Sequence, residues 1–186
     1  MSFEVSSGWV GRFKIGDNIC HSIEILTELS RLAELSNDAD LLVKPRVVLL
    51  ASICEAMLFD LIENRVRGHT REAISAIPEK LRTLMQSAKY SDEFKKLINI
   101  AKANNLLGNG NLPVYINLHH LRGLRNRLHI QSVGNDDSDI FDNDALVRSE
   151  RITEEAAKCL AGKFPRTPDY QGYVRNFVFP WDEHIQ

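Results

Sequence analysis

The stretch VVLLASICEAMLFDLI, residues 47–62, is the longest apolar run of the chain, and it decides the fold class. Only Ser52, Glu55 and Asp60 interrupt it. It is shorter than the roughly 20 residues that a membrane-spanning helix needs. Because the run is apolar on almost every side of a helix, it predicts the central helix of a bundle. Pro45 suits the first turn of that helix, which we expect to end at Gly68.

Further helices are predicted on both sides of this run. Upstream, Asp17 is a predicted N-cap, because apolar residues follow it at spacings of three and four until about Leu35. Downstream, a third helical stretch follows Thr70, and Pro78 either breaks it or starts a new helix over Glu79–Ala88. Ser91 is a favourable start for a further helix, which we expect to end at Asn104.

The remaining segments complete an all-α prediction. Pro113 is expected to open a helix that reaches Ile130, and Thr153 to cap the last one after an acidic loop over residues 134–144. We predict a single up-and-down bundle of five to six helices over residues 1–163. Residues 164–186 are rich in aromatic side chains, and we expect them to form an irregular arm packed on the bundle.

Composition narrows the functional classes. The 186 residues include 23 Lys and Arg against 25 Asp and Glu. The chain therefore lacks the excess of basic residues that an extensive surface for binding double-stranded nucleic acid requires. The cysteines, Cys20, Cys54 and Cys159, are too scattered for a disulfide framework or a zinc site. The N-terminus has no signal-peptide pattern. We therefore expect a cytoplasmic protein without a membrane segment.

The chemically richest stretch is LRGLRNRLH, residues 121–129. On a helix, the side chains of Arg122, Arg125, Asn126 and His129 share roughly a third of the circumference, at about 100° per residue. Guanidinium groups bind phosphates, and an imidazole titrates near neutral pH. An adjacent stripe is apolar and is expected to pack in the core: Val114, Leu121, Leu124 and Leu128.

An all-helical chain with this late motif resembles the HEPN superfamily, whose signature is Arg-x(4–6)-His. Six residues separate Arg122 from His129, and a polar residue, Asn126, follows Arg125. The predicted second helix, in which Glu55 lies within an otherwise apolar run, also resembles a HEPN helix. The resemblance covers roughly residues 15–162. It implies a homodimer in which the motif helices of two copies form one cleft.

The sequence leaves open which arginine pairs with His129 in the motif. In the common family pattern, Asn follows the same arginine that is counted to the histidine, whereas here Arg125-Asn126 lies nearer to His129. Either Arg122 or Arg125 is therefore the motif arginine. Helix geometry allows both, since residues four and seven apart return to one face.

The resemblance implies a metal-independent endoribonuclease, in some members a toxin or defence effector restrained by a separate antitoxin protein. His129 would transfer protons, Arg122 and Arg125 would hold the phosphate, and Asn126 would orient the imidazole. Single-stranded RNA is the expected substrate, and no metal or other cofactor is expected. Arg127 and His119 are expected to contact the substrate. Glu55, on the neighbouring helix, is expected to support the site. Other members of the superfamily only bind RNA, nucleotides or proteins, which is the alternative function.

Each residue also has a structural interpretation. Arg122 and Arg125 are alternatively solvated charges, or partners of Glu55 or of an acidic loop. Glu55, as a buried carboxylate, requires an arginine or backbone donors. The pair His119-His120 does not favour a metal site, because adjacent helical residues point about 100° apart. The aromatic side chains of the arm favour packing or a dimer contact over base stacking.

Overall fold

The computed structural model describes residues 2–66, 93–127, 140–164 and 174–184. The helices predicted within Thr70–Ala88, the stop at Gly68 and residues 134–139 of the acidic loop lie outside these ranges, as does His129. The described residues form an all-α bundle with one small two-stranded sheet, which confirms the predicted fold class. None of the helices in these ranges is both long enough and apolar enough to cross a membrane.

Helix α2, Val43–Phe59, is the centre of the bundle, as predicted from its apolar sequence. It contacts every other described α-helix. Those helices are α1 (Phe13–Leu35), α3 (Phe94–Ala103), α4 (Pro113–Asn126) and α5 (Asn143–Lys163). Pro45 lies in the first turn of α2, and the chain continues from α2 into a π-helical segment over Asp60–Val66.

Helix α1 begins at Phe13 rather than after Asp17, so the predicted N-cap is wrong. The residue at the cap position, Arg12, supplies no side-chain hydrogen bond. The buried carboxylate of Asp60 caps the helix instead, accepting hydrogen bonds from the backbone N–H groups of Gly11 (2.6 Å) and Arg12 (3.0 Å). A negative charge at a helix N-terminus is favourable, because the first N–H groups there lack partners.

Helices α3 and α4 form a hairpin. Helix α3 ends at Ala103, close to the predicted end at Asn104. Asn105 then adopts a left-handed conformation (φ 54°), and its side-chain oxygen accepts from Gly110 N–H at 2.7 Å. Pro113 opens α4 as predicted.

The N-cap of helix α5 lies eleven positions before the predicted cap, Thr153. This N-cap is Asp142, whose carboxylate accepts from Ala145 N–H at 2.7 Å. Thr153 is buried in the middle of the helix, where its hydroxyl donates to the Ser149 carbonyl at 2.9 Å. The prediction was wrong because Asp142 was assigned to the acidic loop, although a short carboxylate is a favourable cap.

The C-terminal arm pairs with the N-terminus of the chain. Strand β1 (Phe3–Val5) lies antiparallel to β2 (Phe177–Phe179). No strand was predicted at β1. Phe177, Phe179 and Trp181 are buried in the same core as the helices, which agrees with the packing interpretation of the arm. The buried carboxylate of Glu154 accepts from the Trp181 indole N–H at 3.4 Å.

Candidate functional site

Helix α4 carries the arginine motif and turns one side of it toward the core. Three residues of the predicted apolar stripe are buried, Val114, Leu121 and Leu124, and the fourth, Leu128, lies outside the described residues. Tyr115 and Leu118 are buried with them. Gly123 and Asn126 are exposed, and Arg122, Arg125 and Arg127 are half-buried. The motif therefore lies at the boundary between the bundle core and solvent.

Arg125 is bound to Glu55 of helix α2. Its two terminal nitrogens lie 3.0 and 2.9 Å from the two carboxylate oxygens, so the contact is bidentate. The side chains are 33% and 18% exposed, respectively. A guanidinium fork matches a carboxylate in this geometry. Glu55 is thus paired with an arginine, as a carboxylate in apolar surroundings requires.

Arg122 has different surroundings, because it faces helix α3. It lies two turns after Tyr115, on the same side of α4. The Tyr115 hydroxyl accepts from Leu107 N–H at 3.0 Å, and its oxygen lies 2.8 Å from the Gly108 carbonyl and 3.3 Å from that of Ala101 in α3. These contacts fix the rotation of α4 about its axis.

The guanidinium of Arg122 is not neutralised by any carboxylate in the described ranges. Its Nε atom is buried and, within the same residues, has no hydrogen-bond partner. A buried donor without a partner is unfavourable. Because the Nε atom is itself shielded from solvent, an anion from outside would bind the exposed part of this half-buried side chain. Of the two arginines, Arg122 is therefore the one placed to receive an anion.

His119 lies one turn before Arg122. Partial burial lowers the pKa of its imidazole, and the positive charges of Arg122, Lys102 and Lys95 lower it further. The neutral ring is favoured at neutral pH, so it is able to accept a hydrogen bond. Both lysines belong to α3, and sequence reasoning missed them. Their spacing of seven residues, which repeats one helix face, was the available signal.

His120 lies on the opposite flank of α4. The pKa of its imidazole is lowered by burial and by the charge of Arg148 in α5. The two adjacent histidines thus face different neighbours, as the helical angle predicted. Within the parts of the chain that the structure describes, no three His, Cys, Asp or Glu side chains are grouped so that they could hold a metal ion.

The end of the motif differs from the predicted helix. Helix α4 ends at Asn126, and Arg127 occupies the C-cap position, so the prediction that it reaches Ile130 was wrong. His129 lies outside the described residues, and its position beside Arg122 stays a prediction.

Comparison of the chain with protein-family models, with curated proteins and with solved structures found no match.

Proposed function

We propose that this protein is a metal-independent endoribonuclease of the HEPN type that acts as a homodimer. The observation that supports it most is the half-buried Arg122, which has no carboxylate partner among the described residues and lies one turn after His119 in helix α4. A partly desolvated guanidinium binds a phosphate more strongly than a solvated one does. In this proposal Arg122 is the motif arginine, and Arg125 positions α4 through Glu55.

The proposed reaction uses the 2′-hydroxyl of the RNA as the nucleophile. His129 of one subunit removes the hydroxyl proton, the 2′-oxygen attacks the adjacent phosphorus, and the 5′-oxygen leaves with a proton from His129 of the partner subunit. Arg122 stabilises the charge that develops on the phosphate. The products are a 2′,3′-cyclic phosphate and a 5′-hydroxyl, and no metal is needed to generate the nucleophile.

The remaining site residues bind and orient the substrate. Asn126 is exposed at the last position of α4, where its amide is able to orient His129 or donate to a phosphate oxygen. Arg127 and His119 are proposed to contact the RNA on either side of that position. Single-stranded RNA is the proposed substrate, because its backbone is free to enter a narrow cleft between two helices. A role as a toxin or defence effector, with a separate antitoxin protein, belongs to the same proposal.

Cleavage of total RNA in the presence of a chelator tests this proposal. We expect the wild type to yield fragments with 2′,3′-cyclic phosphate ends, and His129→Ala to be slower by about 10² to 10⁴. His21→Ala is the matched control, because His21 is exposed on α1. Unchanged cleavage by a folded His129→Ala variant, or loss of wild-type cleavage on adding chelator, would contradict the proposal.

A non-catalytic dimer that binds RNA, a nucleotide or a protein is the second candidate. The bidentate pairing of Arg125 with Glu55 favours it, because a neutralised arginine contributes less to transition-state charge. This candidate predicts RNA binding that Arg122→Ala weakens, without cyclic phosphate products. The same fragment analysis therefore separates the two functions.

A further inference from the structure

Four cationic or titratable side chains form a row along the α3–α4 hairpin. Lys95 and Lys102 lie on exposed positions of α3, seven residues and therefore about 10.5 Å apart on one face. His119 and Arg122 lie one turn apart on α4. We call these four residues the cationic row.

The packing of the hairpin sets their order. Tyr115 lies against Ala101 at the end of α3, so the start of α4 is level with Lys102. Helix α4 packs back along α3 in the opposite direction. Arg122, which lies two turns after Tyr115 on α4, is therefore level with Lys95 on α3. The imidazole of His119 lies between these levels and is affected by the charges of both lysines and of Arg122. The row therefore runs along the groove between the two helices.

The cations of the row differ from their neighbours in how they are neutralised. Lys96, the residue after Lys95, forms an ion pair with Glu93 at 2.6 Å. Among residues 2–66, 93–127, 140–164 and 174–184, no carboxylate forms an ion pair with Lys95, Lys102 or Arg122. Since the whole chain carries a net charge of −2, this local excess of positive charge is not a consequence of composition.

We propose that Lys95 and Lys102 extend the substrate site along α3 and bind backbone phosphates of single-stranded RNA on one side of the phosphate held by Arg122. This inference depends on the proposed ribonuclease function. Lysine binds a phosphate as a point charge and reads no base, so the row contributes affinity and direction but no sequence preference. A duplex is disfavoured as the ligand, because its high charge density calls for a broader basic surface than one hairpin offers.

Binding of a 2′-O-methyl RNA oligonucleotide tests the row apart from catalysis, because this probe lacks the nucleophile. Fluorescence anisotropy is measured for the wild type, for Lys95→Gln/Lys102→Gln, and for the charge-matched control Lys14→Gln/Lys96→Gln. We expect the first variant to bind at least about tenfold more weakly at 50 mM salt. The dependence of log Kd on log salt should fall by about 1.4, at about 0.7 per lost lysine contact on a single strand. The control should match the wild type.

The outcomes separate this inference from the proposed function. If the wild type cleaves RNA and the Lys95→Gln/Lys102→Gln variant binds the probe as tightly as the wild type does, the inference that these lysines bind RNA is wrong. The proposed ribonuclease function is then unaffected. If the wild type neither binds the probe nor cleaves RNA, both are wrong. If poly-L-glutamate displaces the probe at equal charge concentration, the row is a surface for acidic protein, which also overturns the inference.

Discussion

At the scale of single residues, Arg122 and Arg125 show how one helical turn changes the role of a side chain. Both belong to the same motif, and both are half-buried. Arg125 meets the carboxylate of Glu55 across the bundle, whereas Arg122 faces α3 and meets no carboxylate among the described residues. The chemical type of the two residues is identical, so their difference arises only from which helix each one faces.

Asp60 is a second residue whose role depends on its surroundings. Its carboxylate is fully buried and accepts hydrogen bonds from Gly11 N–H, Arg12 N–H and the Asn64 side chain. A buried carboxylate is stable in the interior only when donors compensate for its lost hydration. The start of α1 provides two of these donors, so the cap and the buried charge stabilise each other.

Asp60→Asn is expected to lower the free energy of unfolding by about 2 kcal/mol, because the amide carries no charge and brings its own donors against the helix N-terminus. For a chain of this length, the melting temperature should fall by about 4 to 8 °C. Asp17→Asn, at the exposed position that the sequence favoured as the cap, should change stability by less than about 0.5 kcal/mol. Urea unfolding of both variants checks this, and the reverse order would contradict the observed cap.

At the scale of elements, α4 combines a buried stripe with an open face. Gly123 lies on the exposed side, and a Cβ atom added there would have no described atom within 4 Å. Glycine in a helix is unfavourable, because it loses more backbone entropy on folding than alanine does. Gly11, in contrast, lies so close to the backbone of the π-helical segment that an added Cβ would be 2.6 Å from Arg65 N.

Gly123→Ala is expected to raise the free energy of unfolding by about 0.5 to 1 kcal/mol, through the higher helix propensity of alanine. Gly162→Ala in α5, where an added Cβ is equally distant from described atoms, is the matched control and should give a similar gain. Gly11→Ala should destabilise by about 1 to 3 kcal/mol, because neither backbone segment is able to move freely. Thermal unfolding of the three variants measures these effects. A loss of stability in Gly123→Ala alone would contradict an open face on α4.

At the scale of the whole molecule, the two ends of the chain close the bundle. Strand β1 pairs with β2, so Phe3 lies opposite Phe179 in the register. Helix α5 holds the arm through Glu154, whose carboxylate accepts from the Trp181 indole and from the His184 backbone N–H at 3.1 Å. The arm is thereby part of the same core as the helices.

The proposed dimer makes a quantitative prediction about mixed subunits. If each cleavage needs His129 from both subunits, a 1:1 mixture of wild type and His129→Ala should retain about a quarter of the wild-type activity after subunit exchange, since random pairing leaves that fraction of intact dimers. RNA cleavage after co-refolding measures it, with His21→Ala as the mixing partner in the control. Light scattering should give twice the 21.1 kDa mass of one chain. Half of the activity in the mixture, or a monomeric mass, would contradict a shared cleft.

Local sequence patterns were sufficient to predict the features that depend on neighbours within a few helical turns. The apolar run around Cys54 predicted the central helix, the asparagines after Ala103 predicted the end of α3, and Pro113 predicted the start of α4. The apolar stripe of Val114, Leu121 and Leu124 predicted which side of the motif is buried. Each of these follows from helical periodicity and from residues that start or stop helices, which are local properties.

The features whose partners are distant in sequence became apparent only from the packing of the helices. Asp60 caps a helix that begins 47 positions before it, and β1 pairs with a strand near the other end of the chain. The sequence offered Glu55 as a partner for either arginine of the motif, and the structure assigns it to Arg125. No local pattern encodes such a partner, because the contact exists only once the helices have packed. For the same reason, the excess positive charge beside Arg122 became apparent only when α3 was placed against α4.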